Sequence, residues 1–177
     1  MKLFKMHFVI GPICSGKSSY ISAHFSNEEF VVVRIGKFLR ESIGLKAMSQ
    51  DPSPNVCNVT EDWVRRHVAG AMWCAKDLSR EVVFDGYPRS VGQVKYLSDL
   101  AYQMCNLHDL RLGIKVHLLS VRRDTVERRI LERASGNSEA AAFDRLRIDS
   151  SFEGVEKIME QMQRSFHSAE VAIIDHN

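Results

Sequence analysis

Cysteine is scarce and scattered in this chain: Cys14, Cys57, Cys74 and Cys105 are the four. No two of them form a C-x-x-C pair, and no histidine cluster lies at ligand spacing. A structural zinc site or a disulfide framework is therefore not expected, and a reducing, cytoplasmic setting fits. An excess of one charge is also missing. The formal net charge is only +2, which makes no electrostatic case for a nucleic-acid or membrane surface. No apolar run approaches the roughly 20 residues that span a bilayer. The first ten residues lack the longer apolar stretch and small-residue cleavage site of a signal peptide, and read as a first strand. Internal repeats and low-complexity tracts are absent. What is present is an ordinary balance, 45% hydrophobic and 26% charged over 177 residues, which suits one domain with a sizeable core. A monomer without nucleic-acid or membrane partners is the expectation.

Short apolar runs bounded by turn or helix signals predict strands over 6–10, 30–34, 82–85, 114–121 and 171–175. Helical patterns lie between them, over 17–25, 37–45, 60–79, 90–106, 123–134 and 151–168. Strands alternating with helices predict an α/β fold, a mostly parallel five-stranded sheet covered by helices on both faces. Two segments look like interruptions: 49–58, with Pro52 and Pro54, and 135–144, with Gly136 and an alanine run. Ligands of such sheets gather at the carboxyl ends of the strands, where inserts can wall the site.

Residues 11–18 read Gly-Pro-Ile-Cys-Ser-Gly-Lys-Ser. This is a complete G-x-x-x-x-G-K-S phosphate loop between an apolar strand and a helix-compatible stretch, the context the motif requires. Its glycines let consecutive N–H groups turn inward around a polyphosphate, and the following helix adds the positive end of its dipole. Lys17 supplies a mobile charge for the outer phosphates, and the Ser18 hydroxyl can ligate Mg²⁺. Gly11, Cys14, Ser15, Gly16, Lys17, Ser18 and Ser19 are thus candidate ATP-binding residues. Further on, residues 82–93 read Val-Val-Phe-Asp-Gly-Tyr-Pro-Arg-Ser-Val-Gly-Gln. The strand delivers Asp85 to its end, where it can hold Mg²⁺ with Ser18. Gly86 and Pro88 force a turn that presents Arg89, and a helix starts after Ser90. An arginine so placed can grip a phosphoryl group bidentately.

The Asp-Gly-Tyr-Pro-Arg-x-x-x-Gln pattern at 85–93, together with the phosphate loop, resembles the adenylate kinase family of nucleoside monophosphate kinases. The likeness runs from about residue 6 to about 160. It implies a P-loop three-layer core with an acceptor-binding insert at about 36–80 and a short lid at about 134–146. It implies ATP and Mg²⁺ as cofactors and a nucleoside monophosphate as acceptor. Gly36 and Arg40 fall in the acceptor segment, with Arg40 on the acceptor phosphate. Val59 would line the acceptor base, Gly86 the acceptor side, and Arg89 the space between the phosphates. Gln93 would read the acceptor base, which favours AMP. Arg129 would cover the donor base, and Arg133 and Arg147 would reach the transferring phosphates from the lid. Arg145, two residues from Arg147, is the alternative if the lid length differs. Arg122, Arg123 and Arg128 read as a solvated helix face with i,i+4 pairs such as Arg128–Glu132.

The chain departs from that pattern at several positions. Cys14 stands where the family has a glycine in the loop, and Ser18-Ser19 replaces Gly-Thr. Ile35 replaces a hydroxyl residue and cannot hydrogen-bond a base, which leaves UMP, CMP or a deoxynucleotide open as acceptor. Lys37 replaces an aspartate; it either contacts a phosphate or points to solvent. Ile158 replaces a lid-exit arginine. The sequence ends just after the last expected strand, where the family continues into a helix, so the donor pocket is expected to lack one wall or the sequence to be truncated. Lys37, Ile158 and that end favour an alternative, a nucleotide-binding protein of this fold with little turnover.

Overall fold

The computed structural model describes residues 1–43, 54–134 and 148–176, apart from the side chains of residues 40, 42–43, 54–60 and 133–134. The described residues include five strands: β1 (Lys2–Ile10), β2 (Phe30–Arg34), β3 (Glu81–Asp85), β4 (Leu110–Ser120) and β5 (Glu170–Asp175). They form one sheet in the order β2-β3-β1-β4-β5. Every pairing is parallel, so the expected mostly parallel sheet is fully parallel among the described residues. Among the described residues, six helices connect or follow the strands: α1 (Lys17–His24), α2 (Ile35–Ile43), α3 (Pro54–Asp77), α4 (Val91–Leu107), α5 (Arg123–Ala134) and α6 (Ile148–Ser165).

The pleat sorts β1 residues between two cores. Phe4, Met6, Phe8 and Ile10 face one side, where they pack with Val64, Val68 and Met72 of α3, Val94, Leu97 and Ala101 of α4, and Ile158 and Met162 of α6. Val9 faces the other side with Val83 and Leu119, under Ile21 of α1 and Phe25. Alternate residues point to opposite faces, so one strand serves both helical layers. This is the expected three-layer architecture.

Element boundaries depart from the sequence expectation for physical reasons. β1 and β4 are longer than their apolar runs and pair from Lys2↔Leu110 to Ile10↔Leu118. Lys2, Lys5, Arg111 and Lys115 occupy exposed positions of these strands, and an apolar-run reading clips them. Helix α3 starts at Pro54, so the end of the expected interruption 49–58 is helical. Proline lacks an N–H and has its φ pre-set for a first helical turn, which suits it to that place. Helix α2 begins at Ile35 directly after β2, two residues earlier than expected. The expected lid residues 135–146 lie outside the described residues.

In this strand order β1 is central. The register aligns Val9 with Asp85 on one side and with His117 on the other. The carboxyl ends of β1, β3 and β4 thus meet where the order reverses, which is where open α/β sheets bind their ligands.

Candidate active site

The phosphate loop leaves β1 at Ile10 and enters α1 through Gly16, whose φ is +88°. At Gly11 a Cβ would meet Ser15 Oγ at 2.7 Å and the Leu119 carbonyl oxygen at 3.0 Å, so no side chain fits there. At Gly16 a Cβ would meet the His176 ring at 2.9 Å. Cys14 has a φ of +53°, a left-handed conformation that a glycine would adopt without strain. Ser15 is fully buried. Ile13 N–H donates to Ser151 Oγ of α6 at 3.4 Å, a long contact that ties the loop to a distant helix.

Lys17 folds back into its own loop. Its Nζ donates to the Gly11 carbonyl at 2.9 Å, the Pro12 carbonyl at 2.6 Å and Ser15 Oγ at 3.2 Å. Burial pushes its pKa down to about 8; Asp85 and Cys14 work to raise it, and Arg89 to lower it further. Ser18 Oγ donates to Asp85 Oδ2 at 2.9 Å, so β3 and α1 join at the site as the sequence predicts. Ser19 is exposed on α1. A hydroxyl and a carboxylate oxygen at this distance are the hard donors that suit Mg²⁺, which keeps several waters and takes phosphate oxygens as its other ligands. Among the described residues no group of three or more His, Cys, Asp or Glu could hold a metal ion.

After Asp85 the chain turns at Gly86, φ +69°, where a Cβ would meet Arg89 Nη2 at 3.0 Å. Arg89 Nε donates to the Gly86 carbonyl at 2.6 Å, which folds the guanidinium over the turn beside Asp85. Ser90 caps α4 by accepting from Gln93 N–H at 3.2 Å. The Gln93 amide is held at both ends: Oε1 accepts from Arg89 N–H at 2.7 Å, and Nε2 donates to Glu61 Oε2 at 2.9 Å. Gln93 is thus a half-buried residue of the first turn of α4 that is bonded to Glu61 of α3.

The remaining candidates divide by element. Gly36 lies in the first turn of α2, and Arg40 follows four residues later on the same helix face. The side chains of Arg40, Val59 and Arg133 lie outside the described residues, as does Arg147 entirely. Ile35 is 2% exposed and part of the core. Lys37 is exposed and pairs with Glu41 at 3.7 Å, in line with the solvent reading. Ile158 is 6% exposed and packs in the core. On α5, Arg129 Nη2 donates to the His176 carbonyl at 2.8 Å, and its Nη1 is buried with no partner among the described residues. Arg128 pairs with Glu132 at 3.8 Å, as its spacing predicts. Arg123 pairs with Glu127 at 3.2 Å, and also with Asp149 of α6 at 2.6 Å.

Sequence reasoning missed three residues at this site: Glu61, Ser151 and His176. None carries a local motif, and each meets its partner only through docking of separate elements. No helix among the described residues is long and apolar enough to cross a membrane.

No curated protein matches this chain. Among solved structures, a chain in "Structure of the Pnkp1/Rnl/Hen1 RNA repair complex" shares the fold, with a TM-score of 0.56 and 15% identity over 94% of this chain and 46% of that one. The present chain therefore spans less than half of that neighbour's length. The family model described as "AAA domain" matches residues 6–167, from β1 through α6, and not specifically the adenylate kinases that the 85–93 pattern resembles. With its all-parallel sheet, intact phosphate loop and a match over most of its length, the chain belongs to the AAA domain family.

Proposed function

We propose that this protein transfers the γ-phosphoryl group of ATP to a nucleoside monophosphate, yielding ADP and a nucleoside diphosphate. The observation that supports this most directly is the 2.9 Å bond between Ser18 and Asp85, placed between the phosphate loop and the turn that carries Arg89. Mg²⁺ held by Ser18 and Asp85 would neutralise charge on the β- and γ-phosphates. Lys17 exchanges its two carbonyl partners for phosphate oxygens, and the loop N–H groups cradle the β-phosphate. Arg89 steadies the moving phosphoryl group, with Arg133 and Arg147 approaching from the lid. Such a reaction needs little covalent work from the protein; positioned cations carry it.

On the acceptor side, Arg40 holds the phosphate, and Gly36, Val59, Gly86 and Gln93 line the nucleotide. Gln93 favours AMP. The apolar Ile35 removes a hydroxyl from that pocket and leaves UMP, CMP or a deoxynucleotide as rivals. Arg129 covers the donor base. The protein works as a cytoplasmic monomer. A second reading, a nucleotide-binding protein of this fold with little turnover, is favoured by Ile158 in the core and Lys37 turned to Glu41, since neither supplies a group to the phosphates.

A coupled assay with ATP and Mg²⁺ against ribo- and deoxynucleoside monophosphates tests the proposal. An oligoribonucleotide belongs in the panel, because the fold neighbour sits in an RNA repair complex. AMP turnover above all other acceptors supports the reading. Turnover of the oligoribonucleotide alone rejects it, and ATP binding without turnover selects the second reading.

A further inference from the structure

We propose that Glu61 is a positioning residue for phosphoryl transfer: it sets the orientation of the Gln93 amide, and through it the placement of Arg89. The inference rests on the kinase reading above for its consequence, but not for its geometry.

The N–H groups in the first turn of α4 have no partners within the helix. Ser90 Oγ takes the N–H of Gln93. In the reciprocal capping arrangement a glutamine at this place returns to the N–H of the cap residue itself. Here it reaches one residue further back, and Oε1 accepts from Arg89 N–H at 2.7 Å. A side-chain amide can do this only with its oxygen towards Arg89; the flipped amide would set donor against donor. The oxygen-first orientation leaves Nε2 aimed away from the turn and in need of an acceptor. Glu61 Oε2 on α3 is that acceptor, at 2.9 Å.

Glu61 is itself held in place. Its Oε1 takes Arg65 Nε at 3.2 Å, one turn along α3. The Arg65 guanidinium lies 5.1 Å from the centre of the Tyr96 ring on α4, and the Tyr96 hydroxyl donates to the Arg65 carbonyl at 3.1 Å. The two helices are therefore cross-linked twice, and the carboxylate cannot swing away without breaking its bond to Arg65. The path from Glu61 runs through Gln93 to the Arg89 backbone. From there the Arg89 side chain folds onto Gly86 through Nε, beside Asp85. Glu61 touches no phosphate on this path, and its effect reaches the reaction through Arg89.

The test combines an activity-independent readout with kinetics. Hydrogen exchange of the Arg89 backbone amide is measured in the wild type, Glu61→Ala and Glu61→Gln. Loss of the amide's anchor speeds that exchange by about tenfold in Glu61→Ala, the worth of one hydrogen bond. Glu61→Gln keeps an acceptor oxygen and recovers most of the protection. In steady state, Glu61→Ala lowers kcat/KM for the acceptor by about tenfold and leaves the KM for ATP within about twofold. Adding Glu61→Ala to Gln93→Ala costs nothing further, because the two act in series. Unchanged Arg89 exchange in Glu61→Ala overturns the proposal, as do additive losses in the double variant. If the wild type phosphorylates no nucleoside monophosphate, the kinase reading fails, while the exchange measurement still decides whether Glu61 holds Arg89.

Discussion

Acid should unfold this protein through a buried histidine pair beneath α1, and His117 is the group to remove. Five polar side chains form one chain across the sheet. Lys5 donates to Glu81 at 2.6 Å, Glu81 meets His7 Nε2 at 2.6 Å, His7 Nδ1 meets His117 Nε2 at 3.1 Å, and His117 Nδ1 meets the Tyr20 hydroxyl at 3.0 Å. With both rings neutral, one assignment satisfies every contact. Tyr20 donates to His117, His117 donates through Nε2–H to His7, and His7 donates through Nε2–H to Glu81. Charging both rings would set two N–H groups against each other across the 3.1 Å contact. The rings are 8% and 6% exposed. Burial lowers the His7 pKa against the pull of Glu81. Burial first, then His7, Lys115 and His24, push His117 down to about 4. For Glu81, burial works to raise the carboxyl, but Lys5 and His7 outweigh it and hold it below its usual range.

The sign follows from proton counting. Between the unfolded value for His117, 6.5, and the folded value of about 4, the unfolded chain binds more protons. Stability is therefore complete above pH 6.5 and is lost as the pH falls towards 4. At 1.36 kcal/mol per pH unit of full difference, His117 alone removes about 2 kcal/mol by pH 5 and about 3 kcal/mol below pH 4. His117→Phe should be less stable than wild type at pH 7.5 by about 1–3 kcal/mol, since His7 and Tyr20 lose their partner. It should also lose about 2 kcal/mol less on going to pH 5, so the two stabilities converge. Urea unfolding at pH 7.5, 6 and 5 measures both. Equal acid losses in wild type and His117→Phe would refute the assignment of the acid limb to this pair.

Three further outcomes are expected. Lys17→Ala abolishes ATP-dependent phosphoryl transfer and keeps a cooperative fold, measured by turnover and thermal unfolding together; wild-type turnover in the folded variant rejects the donor site. ATP binding at pH 8–9 takes up protons in the wild type, because phosphates raise the lowered Lys17 pKa of about 8 while Lys17→Ala shows no such uptake; calorimetry in buffers of different ionisation enthalpy reads the difference. Arg40→Ala raises the KM for the monophosphate far more than that for ATP, with about 2–4 kcal/mol lost in kcat/KM, and equal effects on both substrates would remove Arg40 from the acceptor site.

The sequence alone determined the features whose partners lie nearby in the chain. The phosphate loop, the strand that feeds it, the turn from Asp85 to Arg89, and the pair Arg128–Glu132 depend on spacing within one element and its neighbour. Backbone periodicity and the special geometry of glycine and proline encode these locally. The even–odd split of β1 was likewise implicit in a strand covered on both faces. Tertiary structure decided what depends on which elements dock. Ile158 became core because α6 lies against α4 and the sheet. Gln93 became tied to α3 because Glu61, 32 residues away, stands opposite it. His176 reached Gly16 because β5 ends beside the loop, and His7 met His117 across 110 residues because β1 pairs with β4 in one particular register. A side chain's type states what it can bond. The partner it finds is set by how helices and strands are placed against each other, and no local pattern in the chain carries that information.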